Sequence, residues 1–162
     1  MIKEFSLVYG AKITLDKGGY IITFRDLKNI FAEGDSHTQA IIHAQETLDL
    51  LLSEMTQDGI EIPDPTPLRK NETPIAASPK VAVPILLRKL RKQQHSSMTD
   101  IAHTMGVSYQ NYQQIEAGKN ITLNSLKQAS AALGATPVIK FYVRDHDDSH
   151  YQIKKIRKKK PK

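Results

Sequence analysis

An α+β protein of two small domains is what this 162-residue chain predicts, on three features. Apolar residues alternate near the N-terminus, then recur at three- and four-residue intervals, and return after a proline-crowded stretch as several short helical runs. Alternation is the period of a half-buried strand, and the wider spacing is that of an amphipathic helix. Proline removes a backbone donor and biases the residue before it away from helix, so a cluster of prolines marks a break.

Phe5, Leu7, Tyr9, Ala11, Ile13 and Leu15 fall on alternate positions and predict a first strand. Asp16-Lys17-Gly18-Gly19 supplies a hairpin turn, since glycine takes positive φ without steric cost. Tyr20-Ile21-Ile22-Thr23-Phe24 is the second strand and Ile30-Phe31-Ala32 a short third. Asp35 or Ser36 then caps a long helix, in which Ala40, Ile41, Ala44, Leu48, Leu51, Leu52 and Met55 form one apolar stripe. Gly59 ends it, and Ile60-Glu61-Ile62 is expected to return as an edge strand. The result is an antiparallel sheet of three or four strands under one helix.

Six of the eight prolines lie between positions 63 and 84, with small and polar residues between them. This predicts a semi-rigid, exposed linker over residues 66–83, dividing a domain at 1–65 from a second at 84–143, with a basic tail at 144–162. The second domain opens with an amphipathic helix at 85–92 whose outer face is basic. A helix at 98–105, the interruption Gly106-Val107, and a helix Tyr109–Glu116 capped by Ser108 follow. A further helix buries Leu126, Ala129, Ala132 and Leu133, and residues 138–143 read as a short C-terminal strand, able to pair with its copy in a second subunit.

The middle of that domain has the spacing of a helix-turn-helix. A small residue, Ala102, lets the two helices approach; Gly106 four residues later permits the tight turn, with Val107 beneath it. Tyr112 and Ile115 face inward, leaving Tyr109, Gln110, Asn111, Gln113 and Gln114 outside. Amides and hydroxyls are the side chains that hydrogen-bond base edges in a major groove, although glutamine is also simply a good helix former.

Over about residues 84–134 the chain resembles the Xre/Cro/phage-repressor helix-turn-helix family. Ile101-Ala102, Gly106-Val107-Ser108, Ile115-Glu116-Ala117-Gly118-Lys119 and Ala132-Leu133-Gly134 carry the likeness. The resemblance implies double-stranded operator DNA as a partner, with Tyr109, Gln110, Gln113 and Gln114 at the bases and Ser108 also among the DNA-binding residues. It implies phosphate contacts at Ser97, Thr99, Gly118 and Lys119 and a structural role for Glu116. Tyr112 stands where that family generally has a smaller aliphatic residue.

The first 65 residues resemble the N-terminal domain of HicB antitoxins. The run Gly18 to Leu27, then Ala32-Glu33-Gly34-Asp35, Ala40, Ala44-Gln45-Glu46, Leu48, and Asp58-Gly59-Ile60-Glu61-Ile62-Pro63-Asp64-Pro65 carry that likeness. Lys28-Asn29 stands where the family usually has Pro-Gly, which predicts a differently shaped turn. The resemblance implies a partial ribonuclease-H-like ββαβ fold without catalysis, covering a small basic RNA-cleaving toxin of the HicA type.

Charge agrees with that division. Residues 1–65 carry 5 Lys/Arg against 11 Asp/Glu, whereas residues 81–143 carry 7 against 2. An acidic domain attracts a toxin whose RNA-binding face is positive. Asp16, Asp26, Glu33, Asp35, Asp58 and Asp64, at turns and element ends, are the candidate toxin-binding residues. Taken singly, each also reads as an ordinary solvated charge.

Lack of cysteine excludes disulfides, Cys-ligated zinc and thiol catalysis. The N-terminus lacks the apolar core of a signal peptide, and no stretch approaches the roughly 18 apolar residues of a membrane span, so a cytoplasmic location without membrane contact is expected. Asp145-His146-Asp147-Asp148-Ser149-His150 invites a metal reading, but consecutive residues lack the i, i+4 spacing of a helical His site, and a solvated turn is expected instead. Residues 154–162 hold seven positive charges that can follow phosphates without reading sequence. The favoured reading is an autorepressing antitoxin, homodimeric or larger, with no enzymatic activity, cofactor or metal. Its rivals are a stand-alone regulator with a ligand-sensing N-terminal domain and a metal-dependent nuclease using the N-terminal carboxylates.

Overall fold

The computed structural model describes residues 3–119 and 121–143. The acidic turn at 145–150 and the basic run at 154–162 lie outside the described residues. Strands β1 (Val8–Asp16), β2 (Gly19–Phe24) and β3 (Phe31–Gly34) precede helix α1 (His37–Gln57); strand β4 (Thr73–Ala76) follows it. Helices α2 (Pro79–Gln93), α3 (Met98–Met105), α4 (Tyr109–Glu116) and α5 (Leu123–Ala132) complete the elements among the described residues. The β then α layout of the first half and the helical second half are as the periodicity predicts.

The sheet runs β3-β2-β1-β4, antiparallel throughout. Paired residues such as Ile13 with Ile22, Ile22 with Ala32 and Tyr9 with Ile75 share one face. That face packs against Ala40, Ala44, Leu48 and Leu52 of α1, all fully buried. Three strands, not two, therefore stand before the helix. Ser36 caps α1, accepting the Gln39 N–H, and Gly34 is required because a Cβ there would overlap the Ala40 backbone at the helix start. Asn29 takes a φ of 60°, the left-handed conformation that asparagine tolerates best after glycine, so Lys28-Asn29 makes the backbone turn without a glycine.

The proline-rich segment is not a linker. Residues 60–62 form no strand; the chain runs on to β4, which pairs Val8 with Ala76 and Ala11 with Thr73 at the sheet edge. An edge strand tolerates Pro74 because one of its sides needs no ladder bonds. The buried Tyr9 hydroxyl donates to the Pro63 carbonyl at 2.8 Å. Burial, with Asp64 and then Asp26 nearby, holds that phenol well above its ordinary pKa. Arg25 donates to both oxygens of Glu72 at 2.7 Å, and the Thr66 N–H donates to Asp26 at 2.8 Å. The Glu72 carboxylate lies over Gly10, where any Cβ would displace it.

The first helix of the second half begins at Pro79, six residues before the predicted start. Pro79 stands in its first turn, where its missing N–H costs nothing. Pro84 lies inside the helix and forfeits one bond, yet the helix continues because both its faces are buried. Val81, Ala82, Ile85 and Leu86 pack into the sheet core, whereas Val83, Leu87 and Leu90 pack with Ile101, Ala102, Tyr112, Ile115, Ala129 and Leu133. One helix thus belongs to two cores.

Residues 138–143 form no strand in the single chain. A strand needs a backbone partner, and among the described residues this segment has none.

Candidate nucleic-acid interface and acidic surface

Helix α3 starts at a reciprocal cap. The Asp100 N–H donates to Ser97 Oγ at 3.1 Å, while the Ser97 N–H and O–H donate to the Asp100 carboxylate at 2.8 and 2.7 Å. Those two bonds hold the Asp100 carboxyl below the usual carboxylate range. They also occupy both donors of Ser97, so at this end the hydroxyl of Thr99, exposed on the first turn, is the freer donor. The helix ends at Gly106 in the left-handed conformation, φ 68°, with its N–H capping the helix, and Ser108 then caps α4 by accepting the Asn111 N–H at 3.2 Å.

Helix α4 sorts its side chains as the spacing predicts. Tyr112, Ile115 and Glu116 are buried, and Tyr109, Gln110, Asn111, Gln113 and Gln114 are exposed, as are Ser97, Thr99, Ser108 and Lys119. Positions 109, 110, 113 and 114 share one helical face because residues three and four apart are neighbours. Ala102 keeps 3 % of its surface, consistent with the close helix crossing. At the far end Gly118 takes a φ of 77°, and a Cβ there would come within 2.6 Å of Pro84 Cγ. The turn after α4 thus rests directly on α2.

The interior contains a feature that periodicity does not show. Glu116, 1 % exposed, accepts from Arg91 Nε at 2.7 Å and Nη2 at 2.6 Å, with Arg88 Nε at 3.8 Å. Arg91 Nη1 also donates to the Ser96 carbonyl at 3.2 Å. One guanidinium therefore ties α2 to the C-terminal end of α4 and to the approach into α3. The Glu116 bonds, chiefly, push the Arg91 pKa above its ordinary value. The Tyr112 hydroxyl is buried beside this pair without a hydrogen bond of good geometry. Burial, then Glu116, holds that phenol well above its usual pKa. Arg88 and Arg91 read from sequence as a solvated basic face. The signal that could have found the pair is the single glutamate on an otherwise neutral α4, opposite a basic α2.

The six candidate toxin-binding acids separate. Asp16, Glu33 and Asp35 line one shallow cleft of about 140 Å³ together with Gly18, Gly19, Tyr20, Ile21 and Gly34. Asp58 caps the far end of the 21-residue α1, about 30 Å away at 1.5 Å per residue. Asp26 and Asp64 are engaged by other side chains of the protein, Asp64 at the surface. Asp26 binds Thr66 and Arg25, 3.2 Å from Arg25 Nε, and although burial opposes it, these bonds lower its pKa. Asp64 pairs with Lys89 of α2. Among the described residues no three His, Asp or Glu side chains converge as a metal-binding set, and no helix is long and apolar enough to cross a membrane.

Comparison with known proteins agrees with this geometry. The family described as the HicB-like antitoxin of bacterial toxin-antitoxin systems matches residues 8–87. A helix-turn-helix family matches residues 87–140. A relative, Antitoxin HicB 2 of Photorhabdus laumondii subsp. laumondii, is 28 % identical over 127 residues, covering 78 % of this chain and 90 % of the relative. The two matched spans meet at Leu87, within the helix that serves both cores. The chain thus carries a HicB-like antitoxin domain over residues 8–87 and a helix-turn-helix domain over residues 87–140.

Proposed function

We propose that the chain neutralises a HicA-type RNA-cleaving toxin by direct binding in the cytoplasm, and that as a homodimer it represses its own operon. The observation that carries the DNA half is the outer face of α4. Tyr109, Gln110, Gln113 and Gln114 stand exposed on a helix locked from behind by Arg91 and Glu116. A neutral amide face gains little from phosphate attraction and so favours base reading, with affinity coming from Thr99, Lys119 and helix N-termini. A two-fold dimer would set two such helices in successive major grooves of a palindromic operator.

The toxin half rests on the match of residues 8–87 to the HicB-like antitoxin family and on the acidic balance of residues 1–65. Asp16, which accepts the adjacent Lys17 N–H, lines one cleft with Glu33 and Asp35, and the three are the steering patch in this reading. Co-expression with the small basic protein encoded beside this gene tests it. Rescued growth and a co-purifying complex are expected; the absence of both refutes the antitoxin reading for that partner. Mg²⁺- or Mn²⁺-dependent RNA cleavage by the purified chain would favour the nuclease alternative.

A further inference from the structure

Beyond α5 the chain carries a run of apolar side chains left exposed among the described residues. Val138, Phe141 and Val143 keep 86, 84 and 93 % of their surface, and Ile139 keeps 66 %. Soluble proteins seldom leave such a contiguous run uncovered unless it is an interaction surface. The run is also patterned. The Lys140 ammonium sits 5.3 Å from the Tyr142 ring centre, which places these two, two positions apart, on the same side, as an extended chain does. By the same alternation Ile139, Phe141 and Val143 form a wholly apolar opposite side. This is the pattern of a half-buried strand, yet among the described residues its backbone groups are unpaired.

We infer that residues 139–143 are the seam of the homodimer, pairing antiparallel with the same residues of a second copy about a two-fold axis at Phe141. The inference rests on the dimeric reading above and specifies where and in what register the dimer forms. Directly opposed residues project from the same face, so an axis between two residues would set apolar side chains opposite Lys140 and Tyr142 and divide the apolar side. An axis at Lys140 would oppose two like charges. An axis at Phe141 sets Phe141 against Phe141, Ile139 against Val143, and Lys140 against the Tyr142 ring of the second copy. All six apolar side chains then share one face. A two-stranded ribbon is marginal alone, so that face must be covered, and α5 of each copy, ending at Ala132, is within reach.

Charge selects a second copy over the other partners. Lys140 is the one charged residue of the segment, so a basic toxin gains nothing here, and an apolar face does not suit phosphates. An isologous seam beside the helix-turn-helix core also places two α4 helices in one symmetric body.

The chain has no cysteine, so single replacements in the full-length protein report the register. Phe141→Cys is expected to form a disulfide-linked dimer on mild oxidation. Lys140→Cys is expected to link poorly, because its copy lies diagonally across the ribbon, about 7 Å away. Phe141→Asp, at a position outside both cores, is expected to keep the wild-type circular dichroism and raise the dimer dissociation constant on the order of tenfold or more, read by light scattering. Should Phe141→Asp keep the wild-type dimeric mass and Phe141→Cys fail to cross-link, the seam is overturned and the dimeric reading stands. A wild-type protein of monomeric mass that occupies one operator half-site would overturn both.

Discussion

Arg91 donates from two nitrogens to the two carboxylate oxygens of Glu116, and this pair joins the helix that enters both cores to the helix that faces DNA. With 12 % and 1 % of their side chains exposed, neither ion is well hydrated. Removing Arg91 leaves the buried Glu116 with only the longer Arg88 contact at 3.8 Å, and breaking a buried pair costs about 3–5 kcal/mol. Arg91→Ala is expected to destabilise the protein by roughly that amount in urea unfolding and to weaken operator binding with it. The double variant Arg91→Met/Glu116→Gln, which removes both charges, is expected to recover much of the loss. An Arg91→Ala protein as stable as wild type would show that the pair is not structural.

The outer face of α4 should behave in the opposite way. Gln110→Ala and Gln113→Ala are expected to leave the unfolding midpoint unchanged, since both side chains are exposed. Each should reduce discrimination between operator and non-operator DNA by about 1–3 kcal/mol where it makes a good base contact. Competition binding at fixed salt measures this. Uniformly weakened binding to all DNA would instead assign these residues to phosphates.

Acid should loosen α3 at its start. The Asp100 carboxyl is held below the ordinary value of 3.8 by Ser97, so the stabilisation it contributes is complete above that value and is lost as pH falls through the lower folded one. Faster exchange of the α3 N-terminal amides is expected below about pH 4 in wild type. An Asp100→Asn variant, which cannot titrate, should show no such step.

Gly118 is the point at which the recognition turn meets α2. A side chain there must adopt φ 77° and occupy space 2.6 Å from Pro84 Cγ. Gly118→Ala is expected to lower stability by about 1–3 kcal/mol in chemical denaturation. Gly59, also at positive φ but with open space around it, isolates the backbone strain; Gly59→Ala is expected to cost less.

The cleft acids and Asp58 separate the toxin-facing side from the rest of the acidic surface. Charge reversal at Asp16, Glu33 and Asp35 is expected to slow association with the toxin and reduce its salt dependence, as measured by surface plasmon resonance. Asp58→Lys, at the other end of α1, should change the rate less.

The elements that the chain writes locally are legible from sequence alone. Caps, glycines and spacing act over three to five residues, so Ser36, Ser108, Gly106 and the sorted faces of α1 and α4 follow from short-range sterics and hydrogen bonding. The helix-turn-helix falls in that class because its signature is one small residue, one turn and one apolar pair. Tertiary structure alone decided the rest. The proline segment reads as a linker because the pairing of Val8 with Ala76 spans most of the first domain, and proline composition carries no trace of which edge will accept it. The acids at turns look equivalent until Thr66, Arg25 and Lys89 are brought to Asp26 and Asp64 by distant elements. In the same way Arg91 looks like a solvated base until the fold places Glu116 in front of it, since an ion pair is set by position in space and not by separation along the chain.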